Sequence, residues 1–258
     1  MVVRLKELSV SESEDKKYKS LKALVSNELP DVSLQQLHMP SSRSQAHKHA
    51  VIAISGFLSE SADQDSDWLH LKALCVKHDV PLFAVKWKSN SATAVGSIVM
   101  EGLQKLKINP TSVIAGGLKG GVQGMAMGLL KSVVSKDNLV TAVQTVSATK
   151  DAFLVARDNA KITGKILAHY FALAPEFQTY SLSLIGFSLG TQVIKSCING
   201  MPKMGVEGKT QIQNVYLLGG AAYVRQTKAE NQMKVFSSIV NGRICNVYTE
   251  NDTTLKSF

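Results

Sequence analysis

The amino-acid sequence predicts an α/β fold in which helices flank a mostly parallel sheet. Short apolar segments of strand length alternate with helical patterns along the chain. Several of these segments are continuously apolar, which is typical of strands that are buried on both faces. One of them is followed by a serine that has one glycine two residues before it and another two residues after it. An amphipathic helix begins at that serine. With 258 residues, the chain is long enough for one large domain or two small ones.

The first part of the chain, residues 1–48, is predicted to be a polar lead-in, and residues 49–258 are predicted to form the α/β domain. An acidic, serine-rich stretch precedes a helix that is expected at Lys16–Glu28 and ends before Pro30. The segment Leu34–Met39 is expected to form a short edge strand.

Five core strands and the helices between them follow in order. The strands are expected at Ala50–Ser55, Pro81–Trp87, Ser181–Ile185, Gln213–Leu218 and Arg243–Tyr248. Helices are expected at residues 68–78, 91–107, 188–198 and 229–239. Asp65 or Ser66 is the expected N-cap of the first of these helices. Residues 111–174 have a mostly helical pattern and are predicted to be an insertion before the third core strand.

The net charge of +9 narrows the classes of partner. Almost all of the excess of Lys and Arg lies in residues 111–258, where it is dispersed and never reaches three adjacent basic residues. Nucleic-acid-binding proteins concentrate positive charge in a stripe, so no nucleic acid is expected as a partner. An acidic protein partner or an anionic lipid surface fits the dispersed charge better.

The residues Gly186-Phe187-Ser188-Leu189-Gly190 carry the strongest chemical signal. They form the pattern G-x-S-x-G between a predicted strand and a predicted helix, as a nucleophile elbow requires. The two glycines allow a tight turn that exposes the serine hydroxyl above the carboxyl edge of the sheet. The same serine stands at a helix N-terminus, whose free N–H groups stabilise an oxyanion. A tight turn with an inert serine is the alternative interpretation.

Two further positions complete a hydrolase-type hypothesis. Gly56 and Phe57 follow the Ala50–Ser55 strand, and their backbone could supply an oxyanion N–H beside that of Leu189. Asp252 follows the last predicted strand, where a triad carboxylate would stand. Alternatively, Gly56 is a simple turn glycine and Asp252 belongs to an ordinary Asn-Asp turn.

Several motifs together resemble a known family. They are Ile-Ser-Gly-Phe-Leu-Ser-Glu with Trp68 after it, Leu-Ile-Gly-Phe-Ser-Leu-Gly, Val-Tyr-Leu-Leu-Gly-Gly-Ala, and Gly-Arg-Ile-Cys-Asn-Val-Tyr followed by Asn-Asp. Over residues 48–256 they look like the transmembrane and coiled-coil domain hydrolase-like family, a branch of the α/β-hydrolase superfamily that is related in fold to lipases. The resemblance implies Ser188 as nucleophile, Asp252 as acid and Gly56–Phe57 at the oxyanion site. It also implies a helical, often membrane-associated segment before the elbow strand, which matches the predicted insertion.

The sequence departs from that family in its histidines. The family order is serine, acid and then histidine after a further strand, whereas all six histidines here precede the elbow. The C-terminal strand and helix are therefore expected to be missing from the sequence. A serine without a general base is a poor nucleophile, since the base contributes about 10²–10⁴-fold. His70, early in the helix after the Gly56 turn, is the least implausible substitute base.

Glycines recur every four residues in the predicted insertion, at Gly116, Gly120, Gly124 and Gly128. On a helix they would form one smooth stripe, which allows close backbone approach. The stripe predicts a tightly packed helix hairpin or, alternatively, a lid or a docking face for a membrane or a partner. It lacks the Gly-Lys-Ser/Thr ending of a P-loop, so no phosphate site is expected.

No metal and no cofactor are expected. The acidic loop with Glu60, Asp63, Asp65 and Asp67 lacks the glycine and the closing glutamate of a calcium loop. The three cysteines form no CxxC pair, which argues against a zinc cluster and against a disulfide framework. Reduced thiols fit an intracellular location, either cytoplasmic or organellar, with mitochondria among the organelles.

Two functions follow as hypotheses. The first is a serine hydrolase of the ester or lipid class, in which Ser188 attacks an acyl carbonyl. The second is a catalytically inactive hydrolase fold that serves as a scaffold or accessory subunit of a larger complex. Lipid binding without turnover is a third hypothesis. The expected partner is an acyl or lipid-like small molecule or a protein assembly, with peripheral membrane contact through residues 111–174.

Overall fold

The structure of the chain is a computed structural model. It describes residues 2–4, 32–40, 49–57, 59, 63–89, 136–174, 177, 179–202, 211–222 and 226–249. The chain divides into two compact units, Met1–Ser89 with Arg157–Leu255, and Asn90–Ala156 with Lys256–Phe258. The sheet and the predicted elbow belong to the first unit.

Seven strands form one sheet among the described residues. They are β1 (Val2–Arg4), β2 (Ser33–His38), β3 (His49–Ile54), β4 (Leu82–Lys86), β5 (Ser181–Phe187), β6 (Ile212–Leu218) and β7 (Ile244–Val247). Their order across the sheet is β1-β2-β4-β3-β5-β6-β7. The pairs β1–β2 and β2–β4 are antiparallel, and all other neighbours are parallel. The mostly parallel α/β sheet that the sequence predicts is confirmed.

The central strands β3 and β5 explain where a site can form. Parallel strands that are buried on both faces need apolar residues in succession, and Ala50–Ile54 and Leu182–Leu184 are buried throughout. From β3 the chain passes to β4 on one side, whereas β5 lies on the other side. The strand order therefore reverses between β3 and β5. In open α/β sheets, ligands bind outside the carboxyl ends of the strands at such a switch point.

Each predicted strand lies within two residues of an observed one, although the position of β2 differs from the prediction. The segment Leu34–Met39 was expected at the sheet edge, but β1 pairs with the outer side of β2. A run of three residues such as Val2–Arg4 has too short a pattern to predict a strand. Both β1 and β2 come from the predicted lead-in and are part of the same sheet as the core strands.

The helices of the described residues are α1 (Gln64–Asp67), α2 (Leu69–Lys77), α3 (Lys136–Leu173), α4 (Gly190–Gly200) and α5 (Ala229–Ile239), with a 3₁₀ turn at Gln226–Lys228. The helices that the sequence predicts at 68–78, 188–198 and 229–239 are confirmed. The predicted N-cap at Asp65 or Ser66 is wrong. Asp63 instead caps α1 by accepting a hydrogen bond from Asp65 N at 3.1 Å. Helix α2 begins at Leu69, with Trp68 at its N-cap position and no side-chain hydrogen bond there.

Helix α3 packs closely on α4 at Gly164. A Cβ built on Gly164 would lie 2.5 Å from Ser196 Cβ and 2.8 Å from Cys197 N, and it would overlap Val193 O. A residue without a side chain is needed for this approach of two helices. Because α4 follows Ser188 directly, this contact helps to fix the helix that carries the predicted elbow.

Some predicted features lie outside the described residues. These are the helices at Lys16–Glu28 and 91–107, the glycine stripe with the rest of 111–135, and Asp252. Of the predicted insertion, residues 136–173 form α3. Within the described part of the chain, no helix combines the length and the apolar character that crossing a membrane requires.

Candidate functional site

Ser188 occupies a strained turn between β5 and α4. Its φ is 52°, in the left-handed region that residues with a side chain rarely adopt. Ser188 N donates to Leu218 O at 2.9 Å, which ties the turn to β6. Ser188 O accepts from Thr191 Oγ1 at 2.6 Å and from Ala221 N at 3.2 Å. The surrounding strands and helix thus hold the serine in its unfavourable conformation.

The two glycines of the predicted elbow, Gly186 and Gly190, stand where no side chain fits. A Cβ on Gly186 would lie 2.8 Å from both the C and the O of Gly190. A Cβ on Gly190 would lie 2.9 Å from Ile54 C and would overlap Ile54 O. Helix α4 therefore starts in direct contact with the end of β3, which brings the serine to the switch point of the sheet.

Gly56 lies against the serine across that switch point. A Cβ on Gly56 would lie 2.7 Å from Ser188 Cβ and 3.2 Å from Ser188 Oγ. The two residues meet because β3 and β5 end side by side, with Ile54 opposite Gly186 in the parallel register. Phe57 follows in the same turn and is half-buried. The structure thus brings the predicted oxyanion turn and the predicted nucleophile together.

The Leu189 amide is the other predicted oxyanion donor. Leu189 is fully buried, and its N–H has no acceptor among the residues that the structure describes. It stands at the start of α4, where the helix dipole and the free N–H groups favour a negative charge.

A network of buried and half-buried hydrogen bonds around Ser55 holds the turn that contains Gly56. Trp68 Nε1 donates to Ser55 Oγ at 2.8 Å, and Trp87 Nε1 donates to Ser55 O at 3.1 Å. Ser55 Oγ donates to Gln64 Oε1 at 3.0 Å, and Gln64 Nε2 donates to Ser59 O at 3.2 Å. Both tryptophans of the chain thus bind one serine, the residue before Gly56.

The hydrogen-bond network ends at the carbonyl oxygen of Gly56. Ser59 Oγ donates to Gly56 O at 2.7 Å and lies 3.3 Å from Ser89 Oγ. Since the Ser59 proton is directed to Gly56 O, Ser89 is the donor in the second contact. The motif that carries the family resemblance contains Ser55, Ser59 and Trp68, but the hydrogen bonds among them were not predicted from the sequence. The two tryptophans are a further signal in the sequence, because a buried indole N–H needs a hydrogen-bond partner.

The described histidines are not hydrogen-bonded to the Ser188 hydroxyl. His70, the predicted substitute base, is exposed on α2. His169 Nδ1 lies 2.8 Å from Lys165 O, one turn earlier on α3. Asp252 lies outside the described residues, so its predicted role stays a prediction. Among the described residues, no group of three or more His, Cys, Asp or Glu is arranged to hold a metal ion.

His49 has a different role, at the amino end of the sheet. Its Nδ1 lies 2.8 Å from Ser181 Oγ, and its Nε2 lies 3.0 Å from Ser183 Oγ. Asn214 Nδ2 also donates to Ser183 Oγ, at 3.0 Å. Burial between β3 and β5 lowers the pKa of His49 from its usual value, because desolvation disfavours the charged imidazolium. This histidine stabilises strand pairing at the end opposite to Ser188.

Comparison with known protein families identifies the family to which the chain belongs. A family described as "Protein of unknown function (DUF726)" matches residues 16–258. The chain belongs to this DUF726 family. No solved structure matches the chain significantly.

Curated relatives of this DUF726 chain carry informative names. The chain is 27% identical over 172 residues to "Probable lipase MIL1" of Saccharomyces cerevisiae, covering 66% of this chain and 14% of that protein. It is 26% identical over 206 residues to "Transmembrane and coiled-coil domain-containing protein STS1" of Oryza sativa subsp. japonica, covering 79% of this chain and 28% of that protein. It is 25% identical over 210 residues to an uncharacterized membrane protein of Caenorhabditis elegans, covering 80% of this chain and 31% of that protein.

The chain spans less than a third of the length of each of these relatives. The resemblance to transmembrane and coiled-coil domain proteins, which the motifs indicate, agrees with the name of the Oryza sativa relative. The finer assignment to the α/β-hydrolase superfamily stays a prediction.

Proposed function

We propose that this DUF726 chain is the serine-hydrolase part of an enzyme that cleaves acyl esters, with Ser188 as the nucleophile. The observation that carries the proposal is the left-handed Ser188, φ 52°, held between a parallel strand and a helix N-terminus with Gly56 against its side chain. This arrangement has the features of a nucleophile elbow beside an oxyanion site. The similarity to a probable lipase supports an acyl ester as the substrate class.

The chemistry assigns a role to each group. Ser188 Oγ attacks the acyl carbonyl carbon and passes its proton to a general base. The carbonyl oxygen becomes an oxyanion, which the Leu189 N–H and the Gly56–Phe57 turn would stabilise. The base then protonates the leaving alcohol, and water hydrolyses the acyl-enzyme with the same base as proton acceptor. Asp252 would orient that base, a histidine that the described residues do not place.

A fluorophosphonate probe tests the proposal directly. An activated serine attacks phosphorus and expels fluoride, so labelling reports nucleophile activation without knowledge of the substrate. The wild-type chain is expected to label, and Ser188→Ala is expected not to. Ser238→Ala is the matched control, because Ser238 is an exposed serine on α5 whose hydroxyl bonds only locally to Val235 O. A folded wild-type chain that resists labelling, or labelling that survives in Ser188→Ala, would reject the proposal.

A second candidate is a hydrolase fold without catalysis, acting as a scaffold or accessory subunit. The specific observation in its favour is that no described histidine is hydrogen-bonded to Ser188. A serine without a base loses the factor of about 10²–10⁴ that general base catalysis contributes. The labelling experiment separates the two candidates, because an inactive scaffold leaves Ser188 unlabelled in a folded chain.

Peripheral association with a membrane is part of the proposal for either function. Two of the relatives are named as transmembrane or membrane proteins. The positive net charge supports attraction to an anionic leaflet. Flotation with vesicles containing phosphatidylserine should carry the chain upward at low salt, whereas equal flotation with neutral vesicles would argue against charge-driven attachment.

A further inference from the structure

We propose that Trp68, Gln64 and Ser59 are positioning residues that fix the oxyanion side of the Ser188 site. None of them is placed to react. They act through the backbone of Gly56, which lies against Ser188. The inference rests on the proposed hydrolase function, and it assigns a purpose to a buried polar network that packing alone does not require.

The donors and acceptors of this network allow one direction of hydrogen bonding. An indole N–H only donates, so Ser55 Oγ accepts from Trp68 and directs its own proton to Gln64 Oε1. Because the side-chain oxygen of Gln64 accepts from Ser55, its side-chain nitrogen is the atom that donates to Ser59 O. The Ser59 hydroxyl then donates to Gly56 O. A network with a single set of directions holds its members in one arrangement.

The last bond of this sequence sets the direction of an oxyanion donor. The carbonyl of Gly56 and the N–H of Phe57 belong to one planar peptide unit and point in opposite directions. When the Ser59 hydroxyl holds Gly56 O, it therefore also fixes the direction of the Phe57 N–H. Rotation of that peptide would move the donor away from where a tetrahedral oxygen forms. The bond of Trp87 Nε1 to Ser55 O anchors the preceding peptide in the same way.

The burial of the network argues against a simple surface loop. Gln64 is 2% exposed, Ser55 5% and Ser89 0%, although each carries polar atoms. Burying such groups is costly unless they are hydrogen-bonded, and an apolar cluster would stabilise the loop at lower cost. A fully satisfied polar network is instead suited to specifying one backbone geometry.

Conservative substitutions separate positioning from packing. Trp68→Phe removes the indole N–H and keeps an aromatic ring on the adjacent hydrophobic core. Ser59→Ala removes the hydroxyl that holds Gly56 O, and Ser59→Thr restores it. Leu71→Ala is the matched packing control, because Leu71 lies against the same core cluster as Trp68 but has no bond to the turn.

Hydrogen exchange in the segment Ser55–Ser59 tests the positioning without any need for activity. Trp68→Phe and Ser59→Ala are expected to raise the amide exchange rate of this segment at least tenfold. Leu71→Ala and Ser59→Thr are expected to leave it within twofold of wild type. If exchange in the two network variants matches that of Leu71→Ala, the proposal is overturned, whether or not Ser188 proves reactive.

Probe kinetics test the link to chemistry. In a wild-type chain that labels, Trp68→Phe and Ser59→Ala should lower the maximal labelling rate about tenfold and leave the half-saturating probe concentration unchanged. Loss of a whole oxyanion donor costs about 10²–10³, and displacement of one costs less. Faster exchange with an unchanged labelling rate would overturn the assignment to the oxyanion side. If the wild-type chain does not label, the hydrolase function fails, and exchange alone decides whether the network positions the turn.

Discussion

Replacing Ser188 by glycine is expected to leave the protein more stable than replacing it by alanine. The reason is the φ of 52° at this position. A left-handed conformation costs a residue with a Cβ about 1–2 kcal/mol, and glycine avoids that cost. Glycine also gains more freedom in the unfolded chain, which offsets about 0.4–1 kcal/mol of the benefit. The free energy of unfolding of the glycine variant should therefore exceed that of the alanine variant by about 0.5–1 kcal/mol.

Two other positions calibrate this comparison. Asp79 also has a φ of 52°, so Asp79→Gly should likewise be more stable than Asp79→Ala. Ser238 lies within α5, where the order should reverse, because glycine in a helix costs about 1 kcal/mol relative to alanine. The three positions together distinguish backbone strain from a general effect of glycine.

Urea unfolding of the six variants, monitored by circular dichroism, gives the free energies of unfolding. A difference of this size corresponds to about 2 °C in a thermal midpoint, so chemical unfolding is the more sensitive assay. If Ser188→Ala is as stable as Ser188→Gly while Ser238 shows the expected reverse order, the left-handed elbow is refuted. Both Ser188 variants lack the hydroxyl, so the comparison does not depend on whether the protein is active.

Three further predictions concern packing, titration and thiol chemistry. Gly56→Ala should lower the free energy of unfolding in urea by about 1–3 kcal/mol, because its Cβ would lie 2.7 Å from Ser188 Cβ. The same substitution should cost less in a chain that also carries Ser188→Gly, which has no Cβ at that contact. Equal costs in the two backgrounds would contradict the contact. Burial lowers the pKa of His49 below 6.5, so its contribution to stability should be complete above pH 6.5 and decrease as the pH falls through the lowered value. His49→Gln should flatten that pH dependence. Cys245 should react with a thiol reagent before the other two cysteines, because they are buried and burial raises the pKa of their thiols.

Local sequence patterns were sufficient for the central strands and for helix α5. The run Ala50–Ile54 is continuously apolar and is followed by a glycine, so its length and burial follow from composition alone. The helix at Ala229–Ile239 has apolar residues at helical spacing, and its observed bounds equal the predicted ones. Such elements are determined by residues close together in the chain.

Elements that depend on distant partners could not be predicted. Strand β1 exists through its pairing with β2, in which Val2 lies opposite Gln35. The choice of Asp63 over Asp65 as a cap depends on backbone angles that composition does not specify. The same limit applies to the site. The elbow motif located Ser188, and topology placed Gly56 nearby, but the donors to Ser55 come from positions 13 and 32 residues away.

The strain at Ser188 bears on the choice between enzyme and scaffold. Asp79 shares its φ of 52°, but aspartate is among the residues that tolerate this region through local hydrogen bonds of a short polar side chain. The hydroxyl of Ser188 makes no hydrogen bond with any described residue, so no local bond in that part of the chain offsets the strain. Glycine would satisfy the turn at lower cost. Strained residues persist at functional sites because the strain is part of the mechanism. The strain at Ser188, in a turn where glycine would cost less, therefore supports the hydrolase proposal over a scaffold that has no use for the side chain.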